Sequence, residues 1–110
     1  MIKIAESLTK NTTLTYLNLG RNILNGSEKA IANLVKTNNI LIYLHLGECD
    51  FMRSEMEQII VSLQENKSIL YLNLRKNRID IPALQERLSI NKYLLTLDLS
   101  KLPGEVQLLI

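Results

Sequence analysis

The chain has no tryptophan, one cysteine, one histidine and one phenylalanine in 110 residues, and aromatics make up only 5% of it. The lone Cys49 excludes an intrachain disulfide, and with His45 it makes too small a set for a protein zinc site. No apolar run approaches the roughly 20 residues of a membrane-spanning helix, so no membrane partner is expected. Met1 to Glu6 hold no uninterrupted apolar stretch of the secretory kind. Without that signal or any disulfide, the sequons at Asn11, Asn25 and Asn66 read as chance matches, and the expected setting is cytoplasmic. Thirteen basic and eleven acidic side chains leave a formal charge of +2. That balance is too weak to point to nucleic acid. Phosphate-binding glycine loops, a helical zinc-protease motif and a serine-hydrolase elbow are all missing, so neither an enzyme nor a cofactor is expected.

Leucine is what the chain has, at about one residue in five, within an apolar share of 46% that excludes wholesale disorder. The leucines recur. Leu14, Leu17, Leu19, Asn22 and Leu24 match Leu41, Leu44, Leu46, Cys49 and Phe51, then Ile69, Leu72, Leu74, Asn77 and Ile79. A fourth set, Leu94, Leu97 and Leu99, has Leu102 where the others carry Asn or Cys. Equivalent leucines stand 27, 28 and 25 residues apart. Each unit alternates with period two around its central leucines, which predicts a short strand with Leu17 and Leu19 on one side and Tyr16, Asn18 and Gly20 on the other.

Helical patterns fill the intervals. Ser27 is positioned to cap a helix bearing Ala30, Ile31, Leu34 and Val35. Ser54 and Glu57 have capping-box spacing ahead of Ile59, Ile60 and Leu63. Asp80 precedes Pro82, which is tolerated in a first turn, with Leu84 and Leu88 on the core side. Ile4, Ala5 and Leu8 form a helix tail, and Pro103 to Ile110 begin a further partial unit. Asn22, Cys49 and Asn77 are expected to turn inward at the strand ends, where a polar side chain satisfies loop backbone groups.

These four units resemble the leucine-rich repeat family over nearly the whole chain. The full helices, and the joints at Asn11, Asn38 and Asn66, resemble its ribonuclease-inhibitor-like class. The resemblance implies an α/β solenoid of about four repeats of 25–28 residues, with parallel strands on a concave face and helices on a convex one. One domain spans 1–110, with strands near 15–20, 42–47, 70–75 and 95–100.

Stacking would set outward residues in columns about 4.8 Å apart. One column is Tyr16, Tyr43, Tyr71 and Thr96. The next is Asn18, His45, Asn73 and Asp98, followed by Gly20, Gly47, Arg75 and Ser100, then Arg21, Glu48, Lys76 and Lys101. Tyrosine combines large contact area with low entropy cost, so this surface is the candidate protein-binding site, carried by Tyr16, Asn18, Tyr43, His45, Tyr71, Asn73, Arg75 and Asp98. Arg75, Lys76, Arg78, Lys92 and Lys101 form a basic end, while Glu48, Asp50, Glu55 and Glu57 form an acidic unit before it. Glu55 and Glu57 fall in a first helical turn and are expected to cap it rather than to act as an acid–base pair. His45 should face outward and Cys49 inward, which separates them as a nucleophilic pair.

The expected function is a non-catalytic module that binds a protein or peptide. Two alternatives are a substrate-selecting segment of a larger enzyme or host-directed effector, and a structural filament-associated protein. Leu108, Leu109 and Ile110 leave an apolar, uncapped end, which suggests a fragment of a longer array or self-association through the ends.

Overall fold

The computed structural model describes residues 2–101. Expectations for Leu102 and for Pro103 to Ile110, including the apolar end, lie outside them. The element order is α1 (Ile2–Leu8), β1 (Tyr16–Asn18), α2 (Glu28–Thr37), β2 (Tyr43–His45), α3 (Arg53–Ser62), a 3-10 turn (Leu63–Glu65), β3 (Tyr71–Asn73), α4 (Ile81–Ile90) and β4 (Thr96–Asp98). The strands form one parallel sheet in chain order. Leu17 pairs with Leu44, Leu44 with Leu72, and Leu72 with Leu97.

Regular pairing occupies only the middle of each expected strand span. Bonding continues past it, with Leu19 N–H donating to the His45 carbonyl and Leu46 N–H to that of Asn73. The backbone then turns left-handed at Arg21, Glu48, Lys76 and Lys101, with φ between 55° and 60°. Extended geometry cannot continue through such residues.

The leucine side of the sheet packs on the helices. Leu44, Leu46, Leu72 and Leu74 are buried with Ile31, Leu34, Val35, Ile59, Ile60, Leu63 and Leu84 in one cluster. The equivalent residues in the first and last strands, Leu17, Leu19, Leu97 and Leu99, are only half-buried. They cover one neighbouring strand instead of two. Ala5 is buried and Leu8 half-buried as expected, but Ile4 is exposed.

Two polar ladders tie the units together. At the helix-to-strand joints, the Oδ1 atoms of Asn11, Asn38, Asn66 and Asn91 each accept the N–H groups two and three residues on. Three of these side chains also donate backwards: Asn38 to the Leu8 carbonyl, Asn66 to Val35 and Asn38, and Asn91 to Leu63 and Asn66. At the strand exits, Asn77 Nδ2 donates to the Leu46 carbonyl at 2.7 Å, and the Cys49 thiol to that of Leu19 at 3.2 Å. Asn22 corrects the inward expectation. It is exposed, because among the described residues no strand precedes β1 in the sheet, and its amide turns to the Leu19 and Gly20 carbonyls of its own loop.

Two helix starts also differ from expectation. Ser27 precedes α2 but does not cap it with its side chain; its hydroxyl donates to the Leu24 carbonyl. Helix α3 begins at Arg53, so Glu55 rather than Glu57 stands three residues after the cap position. Its carboxylate accepts the Met52 N–H at 2.9 Å. Pro82 falls in the first turn of α4 as expected, and Asp80 caps that helix by accepting the Ala83 N–H.

Candidate functional site

The strand register sets every outward column side by side. Tyr16 pairs with Tyr43, Tyr43 with Tyr71, and Tyr71 with Thr96 on the face opposite the leucines. The rings of Tyr16 and Tyr43 stack with centroids 4.3 Å apart and planes 4° from parallel. Tyr16 is 57% exposed, Tyr71 41%, and Tyr43 is half-buried between them. Burial pushes the Tyr43 hydroxyl above its ordinary pKa, and the neighbouring Tyr16 adds to the effect.

An apolar row borders the tyrosines. Thr15 O accepts the N–H groups of Ile42 and Tyr43, Ile42 O those of Leu70 and Tyr71, and Leu70 O those of Leu95 and Thr96. Thr15, Ile42, Leu70 and Leu95 therefore stand in line, and Leu95 is 70% exposed. These residues escaped the sequence reading because an apolar residue beside a core leucine looks like core. The signal that could have found them is their fixed position one residue before each tyrosine or threonine of the outward column.

The polar column is partly occupied by its own backbone. Asn18 Oδ1 accepts the Gly20 N–H, His45 Nδ1 the Gly47 N–H, Asn73 Oδ1 the Arg75 N–H and Asp98 Oδ1 the Ser100 N–H, all between 2.9 and 3.0 Å. His45 thus presents an acceptor at Nδ1 and a donor at Nε2. The Ser100 N–H holds the Asp98 carboxyl below its usual pKa, with a smaller effect from Arg75.

Glycine shapes the floor beyond this column. A Cβ on Gly20 would stand 2.5 Å from His45 Cε1, and one on Gly47 would stand 2.6 Å from Arg75 Cγ and 2.7 Å from His45 Cε1. The imidazole therefore occupies the space a side chain on Gly20 would need, and it shares the space over Gly47 with the Arg75 stem.

The expected division into an acidic and a basic unit needs correction. Glu48 lies between Arg21 Nε at 3.0 Å and Lys76 Nζ at 2.8 Å. Those hydrogen bonds, Lys76 first, pull its carboxyl down to about 2. Glu55 is likewise spent on backbone, accepting N–H groups of Met52 and Gly26, which hold its carboxyl below the usual range. Only Asp50 and Glu57 of the expected acidic group remain outside these roles. Sequence spacing set Arg21, Glu48 and Lys76 in one column but could not show that alternating charges would close on one another.

His45 faces outward and Cys49 is fully buried, as expected from the alternation. Burial raises the thiol pKa to about 11, so it is held as a neutral donor to backbone. Among the described residues, no group of three or more His, Cys, Asp or Glu side chains is placed to hold a metal ion. No helix among them is long and apolar enough to cross a membrane.

No family model matches the chain. It is 30% identical over 83 residues to leucine-rich repeat-containing protein 34 of Mus musculus, covering 72% of this chain and 20% of that protein. Among solved structures, it superposes on the actin-binding site 2 of leiomodin-1 with a TM-score of 0.79 and 19% identity, covering 96% of this chain and 62% of that one. The C-terminal domain of tropomodulin from Caenorhabditis elegans gives a TM-score of 0.75 at 16% identity, covering 93% and 67% of the two chains. The fold is thus leucine-rich-repeat-like, an α/β arrangement of four parallel strands and four helices among the described residues. The chain spans about a fifth of the mouse protein and under two thirds of the leiomodin-1 chain.

Proposed function

We propose that this chain is a non-catalytic protein-binding module, a leucine-rich-repeat solenoid of four units that holds a protein or peptide partner on its concave outer face in the cytoplasm. The observation that carries this reading is the in-register row of Tyr16, Tyr43 and Tyr71, which remains accessible although the core needs none of it. Tyrosines in such a row offer broad apolar contact with a hydroxyl at the rim, the composition of binding hot spots. The repeat spacing and the complete helices between strands favour the ribonuclease-inhibitor-like class within this fold.

The likeness to the leiomodin-1 actin-binding site favours a second, narrower reading as a filament-associated protein. At 19% identity the likeness speaks for the fold, so actin enters as the first partner to assay. Co-sedimentation with actin filaments and titration of monomeric actin test both readings. Binding that Tyr43→Ala with Tyr71→Ala abolishes supports the outer face as the site. Binding that survives the double substitution moves the site elsewhere on the molecule. Absence of any actin binding removes the filament reading. A substrate-selecting segment of a larger enzyme or effector is the remaining alternative.

A further inference from the structure

The acidic groups around the outer face are largely committed. Glu48 bridges Arg21 and Lys76, Asp98 accepts the Ser100 N–H, and Asp80 caps α4. One cation is not. Arg75 reaches across Gly47 beside His45, and among the described residues its guanidinium makes no hydrogen bond. Its Nε is enclosed with no acceptor, an arrangement that costs free energy. Arg78, three residues on, and Lys101, at the exit of the next strand, are exposed and add positive charge.

Arg75 stands four residues after Tyr71 along the strand direction, and Gly47 four after Tyr43. That separation is on the order of 13 Å in extended chain, or the reach of a few partner residues. Arg75 feels the Asp98 carboxylate on the next strand but forms no ion pair with it among the described residues, and an unpaired arginine four strand positions beyond the tyrosines is complementary to an acidic and apolar segment. Planar guanidinium donors favour a carboxylate over a neutral amide, because a charge-assisted pair is about twice as strong.

The geometry points to a partner segment that carries an acidic side chain close to an apolar one: its carboxylate meets the Arg75 guanidinium while the apolar side chain lies on Tyr43 and Tyr71. This rests on the proposed use of the outer face for protein binding and names the chemistry of the partner. Electrostatic pairing of this kind sets orientation and register more than bulk affinity.

The test uses three acetylated, amidated octapeptides that repeat Leu-Leu-Glu-Glu, Leu-Leu-Gln-Gln or Leu-Leu-Lys-Lys. Each is titrated into the whole chain, reading the Arg75 Nε–H resonance and tyrosine fluorescence. The Glu peptide should bind at least about tenfold more tightly than the Gln peptide at low salt, with the gap narrowing as salt rises. Arg75→Gln should remove that gap, weakening the Glu peptide far more than the Gln peptide, while Arg75→Lys should keep part of it. Equal affinity for all three, preference for the Lys peptide, or no binding at millimolar concentration overturns the inference. If Tyr43→Ala with Tyr71→Ala abolishes binding but Arg75→Gln does not, the outer-face reading stands and the carboxylate inference fails. If the Glu preference survives the tyrosine substitutions, the carboxylate contact stands and the tyrosine shelf fails.

Discussion

At the residue scale, position in the repeat decides whether a reactive group is usable. Cys49 occupies the slot that Asn77 fills one unit later, and both donate to a carbonyl of the preceding strand exit. With its pKa raised to about 11, the folded thiol should resist alkylation and disulfide-forming reagents at pH 8, reacting only through unfolding. A rapid reaction under native conditions would contradict its burial. Because the raised pKa favours the neutral form, this contribution to stability is intact below the unfolded value near 9 and fades as pH rises through about 11. Glu48 has the opposite sign. Its depressed pKa contributes stability above the unfolded value near 4.5, and that contribution is lost as pH falls towards about 2. Glu48→Gln should therefore flatten the acid limb of a stability–pH curve, with a modest effect because the pair lies at the surface. An acid limb identical to that of the unaltered chain would mean the three-residue ion cluster contributes nothing in solution.

At the element scale, the joints matter as much as the strands. Asn66 is buried, accepts two backbone N–H groups and donates to two carbonyls, so it closes one helix and starts the next strand. Asn66→Ala should cost on the order of 3 kcal/mol in denaturant unfolding, since several buried backbone groups lose a partner. Asn11 makes the same local turn with no backward donation among the described residues, and Asn11→Ala should cost about 1 kcal/mol or less. Equal losses would contradict the inter-unit role. Leu72→Ala, by comparison, should cost about 2–5 kcal/mol through a cavity beneath β3. The asparagines recur at 11, 38, 66 and 91 with the same spacing as the leucines. Their turn role was legible at the first three because a helix pattern stops and a strand pattern starts there. Their backward reach was not, because donation to the previous unit depends on how closely neighbouring turns approach.

At the scale of the whole molecule, period-two leucines and a near-constant interval were enough to place four parallel strands in register. A one-residue slip would turn each tyrosine into the core, so the register had little freedom. The candidate surface followed from that register, including the exposure of Tyr16 and Tyr71 and the outward turn of His45. Its electrostatics did not follow. Glu48 and Glu55 look free as sequence characters, but left-handed strand exits align Glu48 with two cations, and a helix start directs Glu55 at backbone. With those acids committed, Arg75 beyond the tyrosine row is left without an ion pair among the described residues. The most direct test of the outer face as a binding surface is partner affinity in the Tyr43→Ala, Tyr71→Ala double variant. It would be measured first with actin and with the Leu-Leu-Glu-Glu octapeptide, alongside circular dichroism. Loss of about tenfold or more in affinity with an unchanged spectrum is the predicted result; full affinity in a folded double variant would contradict it.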